Sequence, residues 1–373
     1  MKKAFIVYAS AGAGHQKAAE ALYEYLKKSR TDLDLKLIDI LDYSNYIVKF
    51  SYSKGYIFLI TKFPWVWYIL YRLSSFFAHN YFRPLSDYFA CLPFVDLLKK
   101  EKPDVVVSTH FLTSSVLSIF KKKHHQYAFR LITIITDYTL HPYWIGEGVD
   151  TYITSCEYVK DCLLTKGISK DKIKVYGIPV REKFYLPSER KTAAQKLGVD
   201  PAKFTALIMT GAVGIGPIEE IVQALAEDVQ LLVICGKNQG LFERLTKLNL
   251  VNVKIYPLIN YVDELMSVSD VVLTKAGGLT ISESLAKGRP MIFFSSIPGL
   301  ETANARVITN YGASFIAETI TRIEEKMSFL KNDPTFYQKA GQNLSRIQKT
   351  DTLSKVAQEI GCLNSDGTIE SSY

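Results

Sequence analysis

The run Asp270-Val271-Val272-Leu273-Thr274-Lys275-Ala276-Gly277-Gly278-Leu279-Thr280-Ile281-Ser282-Glu283, followed by Pro298-Gly299-Leu300-Glu301-Thr302-Ala303-Asn304-Ala305, decides the fold. Val271, Val272 and Leu273 make an apolar run that closes at Thr274 and predicts a buried strand. Gly277-Gly278 predicts a turn, and Thr280 to Lys287 the helix that follows. A strand that turns through glycines into a helix leaves backbone N–H groups and the positive helix end facing outward, a combination that holds phosphate. Glu283, one turn into that helix, is within reach of the two hydroxyls of a ribose. An ordinary strand-loop-helix unit of an α/β domain carries the same pattern, so the motif gains weight only from its surroundings.

Those surroundings repeat it. Ala4 to Ala9, Leu35 to Ile40, Asp104 to Ser108 and Leu131 to Thr136 predict short buried strands, and Thr205 to Thr210, Gln230 to Cys235, Asp270 to Thr274 and Met291 to Phe294 continue the habit, with helical stretches between. The expectation is an α/β protein of two doubly wound, Rossmann-like domains with mostly parallel sheets, facing a cleft. Gly177-Ile178-Pro179-Val180-Arg181-Glu182-Lys183-Phe184-Tyr185-Leu186-Pro187 reads as the linker between them.

Each half opens with a glycine loop. Ser10-Ala11-Gly12-Ala13-Gly14-His15 follows the first strand and precedes a helix expected near Lys17, which places His15 at a helix start beside an anion site. The full GxGxxG pattern is missing and Asp39 suits an ordinary turn, so a nicotinamide cofactor is not expected. In the second half Thr210-Gly211-Ala212-Val213-Gly214 makes the matching turn.

The 373 residues suffice for two domains, and 48% apolar against 22% charged residues is the composition of a soluble globular chain. Cys91, Cys156, Cys162, Cys235 and Cys362 are scattered, with no CxxC pair and no histidine spacing suited to zinc; they read as reduced thiols and point to the cytosol. The start at Met1 is too short in apolar residues for a signal peptide and reads as a first strand. Residues 1–183 carry 26 Lys and Arg against 17 Asp and Glu, whereas residues 184–373 carry 19 against 20, so the first half holds the whole positive excess and calls for an anionic partner.

Residues 43–94 say which partner. They hold 18 of the 46 aromatic residues, five basic residues (Lys49, Lys54, Lys62, Arg72 and Arg83) and one acid, Asp87. Phe63-Pro64-Trp65-Val66-Trp67-Tyr68-Ile69-Leu70-Tyr71, flanked by Lys62 and Arg72, is far shorter than the roughly 20 apolar residues a spanning helix needs. Tryptophan and tyrosine favour the headgroup level and basic residues favour an anionic leaflet, so amphipathic helices here suit a membrane surface. Core or dimer packing explains the same aromatics, and no nucleic-acid module surrounds them. Lys121-Lys122-Lys123-His124-His125 reads as a solvated helix end that adds to the positive field.

Several blocks in one order carry a resemblance: Gly12-Ala13-Gly14-His15, Thr136-Asp137-Tyr138-Thr139-Leu140-His141-Pro142-Tyr143-Trp144, Gly177-Ile178-Pro179, Cys235-Gly236-Lys237-Asn238 and the two opening stretches. Over most of residues 3–350 the chain resembles the bacterial processive diacylglycerol glucosyltransferases. It is more distantly similar to the plant monogalactosyldiacylglycerol synthases and to the N-acetylglucosaminyltransferase of lipid II synthesis. The resemblance implies a GT-B fold of family 28 type, with residues 1–183 as acceptor- and membrane-binding domain, residues 184–350 as UDP-sugar-binding domain, and residues 351–373 as a C-terminal helix and tail. It implies an inverting, metal-independent transfer of glucose or galactose from a UDP-sugar to diacylglycerol, with no further cofactor. The charge excess, the aromatic and basic stretch and the reduced cysteines add the expectation of an anionic membrane surface on its cytoplasmic face. The expected donor set joins Glu283, Glu301 and Asn304, which match the family's ribose- and sugar-contacting blocks, to the turn and helix-start residues Gly211, Gly214, Lys275, Gly277, Gly278, Leu279 and Thr280. The acceptor and membrane set joins His141 and Trp144, which match positions near the acceptor in the plant enzymes, and Gly14 of the glycine loop to Trp65, Trp67, Lys62 and Arg72 of the aromatic and basic stretch. Leu300 stands where the family usually has glutamine, which puts the choice between glucose and galactose in question.

The transfer needs a base for the acceptor proton, and His15 and Asp137 are the candidates. His15 titrates near neutrality by type and aligns with the family's loop histidine, although a structural histidine fits the pattern too. Three roles stay open for Asp137: base, orienter of the base, or cap of the following turn. Two for Trp144 are acceptor contact and core packing. Other functions fit less well. They are transfer of N-acetylglucosamine to a polyprenyl-linked acceptor, UDP-sugar binding without catalysis, for which no base is needed, and sugar-nucleotide epimerisation, for which the basic aromatic block has no use.

Overall fold

A computed structural model describes residues 1–76 and 82–361, with no account of the side chains of residues 75, 76, 82 and 83. Cys362, the tail after Asn364 and the side chain of Arg83 therefore lie outside the described residues. The chain divides into two compact units, Met1–Glu182 with Asp351–Tyr373, and Lys183–Thr350.

The first unit is built on six parallel strands: β1 (Lys2–Tyr8), β2 (Leu33–Asp39), β3 (Val105–Ser108), β4 (Arg130–Ile134), β5 (Thr151–Ile153) and β6 (Ile173–Lys174), in the order β2-β1-β3-β4-β5-β6. Phe5, Ile6 and Val7 of β1 and Val105, Val106 and Val107 of β3 are buried, the continuous apolar run of a sheet covered on both faces. Their register pairs Ile6 with Val107.

The second unit repeats the plan with β7 (Thr205–Met209), β8 (Gln230–Ile234), β9 (Val253–Tyr256), β10 (Val271–Thr274), β11 (Met291–Phe293) and β12 (Ser314–Ile316), in the order β12-β11-β10-β7-β8-β9. Its core joins Ala206, Ile208, Leu231 and Val233 of the sheet to Ile218, Val222, Leu225 and Met327 of the covering helices. In each sheet the first strand lies inside and the order reverses beside it, between β1 and β3 and between β7 and β10. Crevices at the carboxyl ends of such reversals are where doubly wound sheets bind ligands.

All eight expected strands are present. The four that sequence reasoning omitted, β5, β6, β9 and β12, are two to four residues long and lie toward the sheet edges. The half-exposed side chains of β9 leave no continuous apolar run to detect. Two helix starts also differ from expectation: the first helix begins at Ala13, not near Lys17, and the helix after β10 at Gly278, not Thr280. Glycines are tolerated in a first turn, whose N–H groups have no intrahelical partner in any case. His15 accordingly lies inside the first turn of its helix.

Helix Thr352–Gly361 belongs to the first unit. Leu353, Val356 and Ile360 are buried, and Arg130 of β4 donates to the Glu359 carbonyl at 2.6 Å and to its carboxylate. The aromatic block folds as helix Tyr46–Phe50, a π turn Ser51–Gly55, helix Tyr56–Lys62 and, after Pro64 restarts the chain, helix Pro64–Phe76. Of the 23 large apolar side chains that are exposed among the described residues, 11 fall between Tyr46 and Leu73, so this block is not core. No helix among the described residues is long and apolar enough to cross a membrane. The lysines at the end of helix Phe111–Lys123 are engaged: Lys121 pairs with Asp150 and Lys122 with Glu147, while Lys123 lies over Tyr88 and Phe89.

Candidate functional site

At the reversal point of the first sheet, Gly12 turns the chain out of β1 at φ 108°, a conformation that favours glycine, and helix Ala13–Ser29 starts at once. Asp39, at the end of β2, accepts from the N–H groups of Ser10 and Leu41 and so ties the loop to the turn it caps. Gly14 and His15 are the second and third residues of the helix. His15 is half-buried, and its Nδ1 lies 3.1 Å from the Thr109 carbonyl and 2.6 Å from Thr136 Oγ1. A carbonyl only accepts, so this network assigns the ring proton to Nδ1 and leaves the Nε2 lone pair for a substrate. Burial lowers the imidazole to about 4, against the opposing pull of the Thr109 carbonyl, which keeps His15 neutral at pH 7.

Asp137, one residue past Thr136, is buried, and its carbonyl accepts from Ser155 Oγ at 2.6 Å. The ring bonds of His15 run to Thr109 and Thr136 rather than to Asp137. Tyr71, on helix Pro64–Phe76, is pushed up to about 12 by burial and by the negative charge of Asp137. His141 is buried with its ring 5.1 Å from that of Tyr71; Nδ1 accepts from the Tyr143 N–H at 3.2 Å, and Nε2 is 3.2 Å from Ser74 Oγ. It thereby joins the turn Pro142–Trp144 to the aromatic helix. Trp144 is fully buried, 6.2 Å from the His15 ring and 6.0 Å from that of Phe111, in a packing position.

Trp65 is 65% exposed, whereas Trp67 is partly buried against Tyr56 at 5.0 Å, the opposed directions that a two-residue spacing gives on a helix. Lys62 and Arg72 are exposed at the two ends of that stretch, Arg72 over the Tyr68 ring. Sequence reasoning did not single out Thr109, His110 or Thr136. His110 lies edge-on to His15 at 4.5 Å, with Nδ1 accepting from the Leu112 N–H, and Tyr52 of the aromatic block lies 5.9 Å from it. The available signal was position: all three follow the carboxyl ends of β3 or β4.

The second unit carries its own site at its own reversal point. Gly211, just past β7, has φ 75°, and a methyl group there would meet Lys275 Cε at 3.4 Å. Gly214, at φ 64°, packs so closely that a Cβ would lie 2.1 Å from the Cys235 carbonyl oxygen. Asn238 bonds the Gly214 carbonyl at 2.9 Å and caps the next helix at Leu241, so the Cys235–Asn238 block locks the glycine loop. After β10, Lys275 leads into Gly277 as N-cap, and Gly278, Leu279 and Thr280 supply first-turn N–H groups. Glu283 lies half-buried further along the same helix.

Helix Leu300–Asn310 closes this site. Glu301 accepts from Lys275 Nζ at 2.5 Å and from the Ile297 N–H at 2.9 Å, and the buried Asn304 donates to the Ala276 carbonyl at 3.2 Å. The lysine charge, the helix N-terminus and the glycine-exposed backbone converge on one place, which suits a phosphate-bearing ligand. All ten expected donor residues thus belong to this unit and to the carboxyl ends of β7 and β10 or the helices beyond β10 and β11.

Residues 15–180 match the family described as monogalactosyldiacylglycerol (MGDG) synthase, and residues 210–358 match the glycosyltransferase family 28 C-terminal domain. The processive diacylglycerol beta-glucosyltransferase of Bacillus subtilis is 28% identical, with 96% of this chain and 94% of the relative covered. The protein of the same name from Staphylococcus saprophyticus is 29% identical, with 90% and 86% covered. Among solved structures, MurG of Acinetobacter baumannii superposes with a TM-score of 0.66 over 97% of this chain and 99% of its own at 14% identity, a likeness of fold. The UDP-GlcNAc 2-epimerase of Neisseria meningitidis, bound to UDP-GlcNAc, gives 0.59 at 17% identity, over 96% of this chain and 99% of its own. The chain is a GT-B protein and belongs to the family of monogalactosyldiacylglycerol synthases and related family 28 glycosyltransferases.

Proposed function

We propose that the protein transfers a hexose, glucose or galactose, from a UDP-sugar to diacylglycerol at a membrane surface. The observation that carries this is the nearly end-to-end match to proteins named processive diacylglycerol beta-glucosyltransferase in a chain that keeps both reversal-point sites. Inversion is part of the proposal: UDP-glucose carries its sugar in the α-configuration, so a β-product follows from a single displacement. His15 Nε2 takes the proton from the acceptor hydroxyl as its oxygen attacks the anomeric carbon. The departing diphosphate is met by Lys275 and the N-terminus of helix Gly278–Ala286, and Glu283 holds the ribose. Glu301, paired with Lys275, lies beside the sugar position, Asn304 holds the Ala276 carbonyl of the loop behind it, and Leu300 supplies apolar contact without an amide.

The exposed aromatic helices support acceptance of a lipid. Tyr52 of that block lies against His110, which is edge-on to His15, and Tyr71 lies against His141, so the surface that suits the headgroup region adjoins the proposed base through Tyr52 and His110. Peripheral attachment to an anionic cytoplasmic leaflet accounts for the positive excess of residues 1–183. Purified protein incubated with diacylglycerol liposomes and UDP-glucose, UDP-galactose or UDP-N-acetylglucosamine separately, with mass analysis of the lipid, tests the assignment. A hexosyl-diacylglycerol is the expected product; no lipid product, or one from UDP-N-acetylglucosamine alone, overturns it.

A further inference from the structure

The environment of His15 is more specific than a helix start requires. Thr109 holds the residue twice: its Oγ1 donates to the His15 carbonyl at 3.0 Å, and its own carbonyl receives Nδ1–H at 3.1 Å. Thr136 Oγ1 donates to that same Thr109 carbonyl at 3.3 Å, which turns an oxygen lone pair toward Nδ1, 2.6 Å away. Both partners therefore demand the same tautomer. Thr109 contributes through its main chain, but Thr136 contributes through a side chain that can be changed.

We infer that Thr136 is a positioning residue for transfer: its hydroxyl, bridging His15 Nδ1 and the Thr109 carbonyl, fixes the ring so that Nε2 is the proton acceptor. The inference rests on His15 being the base. An acceptor on Nδ1–H strengthens as the imidazole gains charge, so it stabilises the transition state more than the resting enzyme. Burial makes that support more consequential, since solvent does little to stabilise the charge. The role ordinarily given to a carboxylate behind a catalytic histidine falls here to a hydroxyl and a peptide carbonyl.

The test is a double-mutant cycle on the full chain, read as hexose transfer. Thr136→Val should lower kcat about tenfold with the KM for UDP-sugar unchanged, as loss of one such hydrogen bond implies, and Thr136→Ser should restore it to within about twofold. In a His15→Ala background Thr136→Val should cost nothing further. An equal loss in both backgrounds, or no loss in the parent, overturns the inference; full activity of His15→Ala alone overturns the base assignment instead. Nitrogen-15 NMR of the histidine rings in the unmodified protein gives a check that no folding defect can confuse. A proton on Nδ1 of His15 is expected, and a proton on Nε2 with Nδ1 bare overturns the inference.

Discussion

His15 is a group whose surroundings set both its chemistry and a measurable stability term. Its pKa falls from 6.5 to about 4 on folding because burial penalises the imidazolium. Between those values the unfolded chain binds a proton that the folded chain refuses, so stability from this residue is complete above pH 6.5 and is lost as pH falls toward 4, by up to roughly 3 kcal/mol. Unfolding free energies measured in urea at pH 7 and pH 4.5 should therefore converge in His15→Gln relative to the parent; identical pH losses in both proteins contradict the lowered pKa. Glu283 makes the corresponding case in the second unit. Glu283→Ala should weaken UDP binding by about 10- to 100-fold, the loss of charge-assisted hydrogen bonds to a ribose. Calorimetry with UDP decides it, and an unchanged Kd removes Glu283 from the donor site. These residues were legible because strand-glycine-helix runs leave a strong trace in sequence. Thr136 was not: a threonine next to an aspartate looks like a turn residue until another strand end brings His15 2.6 Å from its hydroxyl.

At the scale of elements, the aromatic helices between Tyr46 and Phe76 have no counterpart in a plain doubly wound unit. Trp65, Ile69 and Leu73, at i, i+4 and i+8 of one helix, and Phe58 on the helix before it are exposed, the side chains on which the proposed membrane contact rests. Replacing Trp65 and Trp67 by Ser and Lys62 and Arg72 by Gln should release the protein from phosphatidylglycerol vesicles in co-sedimentation, with UDP affinity retained because the proposed donor site lies in the other unit. Parent binding should weaken with added salt and on neutral vesicles. Retained sedimentation of the folded variant, or equal binding of the parent to neutral vesicles, refutes membrane docking through these helices. Amphipathic helices were expected here from composition, but their boundaries at Phe50, Lys62 and Pro64 came only from the structure. Composition pointed to an interface and left core or dimer packing open, and the exposure of 11 large apolar side chains between Tyr46 and Leu73 decides against core.

For the molecule as a whole, the chain returns after the second unit to complete the first. Arg130 and Glu359 form an ion pair in which both side chains are nearly buried, 10% and 12% exposed, with Tyr176 and Thr352 bonded alongside. Removing one partner of such a pair strands the other, at about 3 to 5 kcal/mol. Glu359→Ala should therefore lower the unfolding midpoint of the first unit and leave UDP binding by the second unchanged, as urea denaturation and calorimetry report. A variant as stable as the parent contradicts the structural role of this helix. Nothing in the local sequence pairs residue 130 with residue 359, whose separation along the chain hides the contact from any reading by pattern.

The sequence by itself determined the architecture, because two-faced burial writes itself as short apolar runs and the tight turns at Gly12, Gly211 and Gly214 need glycine where φ is positive. It also determined the glycine loops, the place of the proposed donor residues after β7, β10 and β11, and the aromatic and basic character of the first half. Only the tertiary structure decided the short outer strands, which bury too little to leave a signal, and the return of the last helix. It alone decided which atom of His15 is free, for that depends on Thr109 and Thr136, brought together by β4 pairing with β3, which itself pairs with β1 at the reversal of the sheet. Hydrogen-bond partners distant in sequence are fixed by packing, and packing is what a one-dimensional pattern does not record.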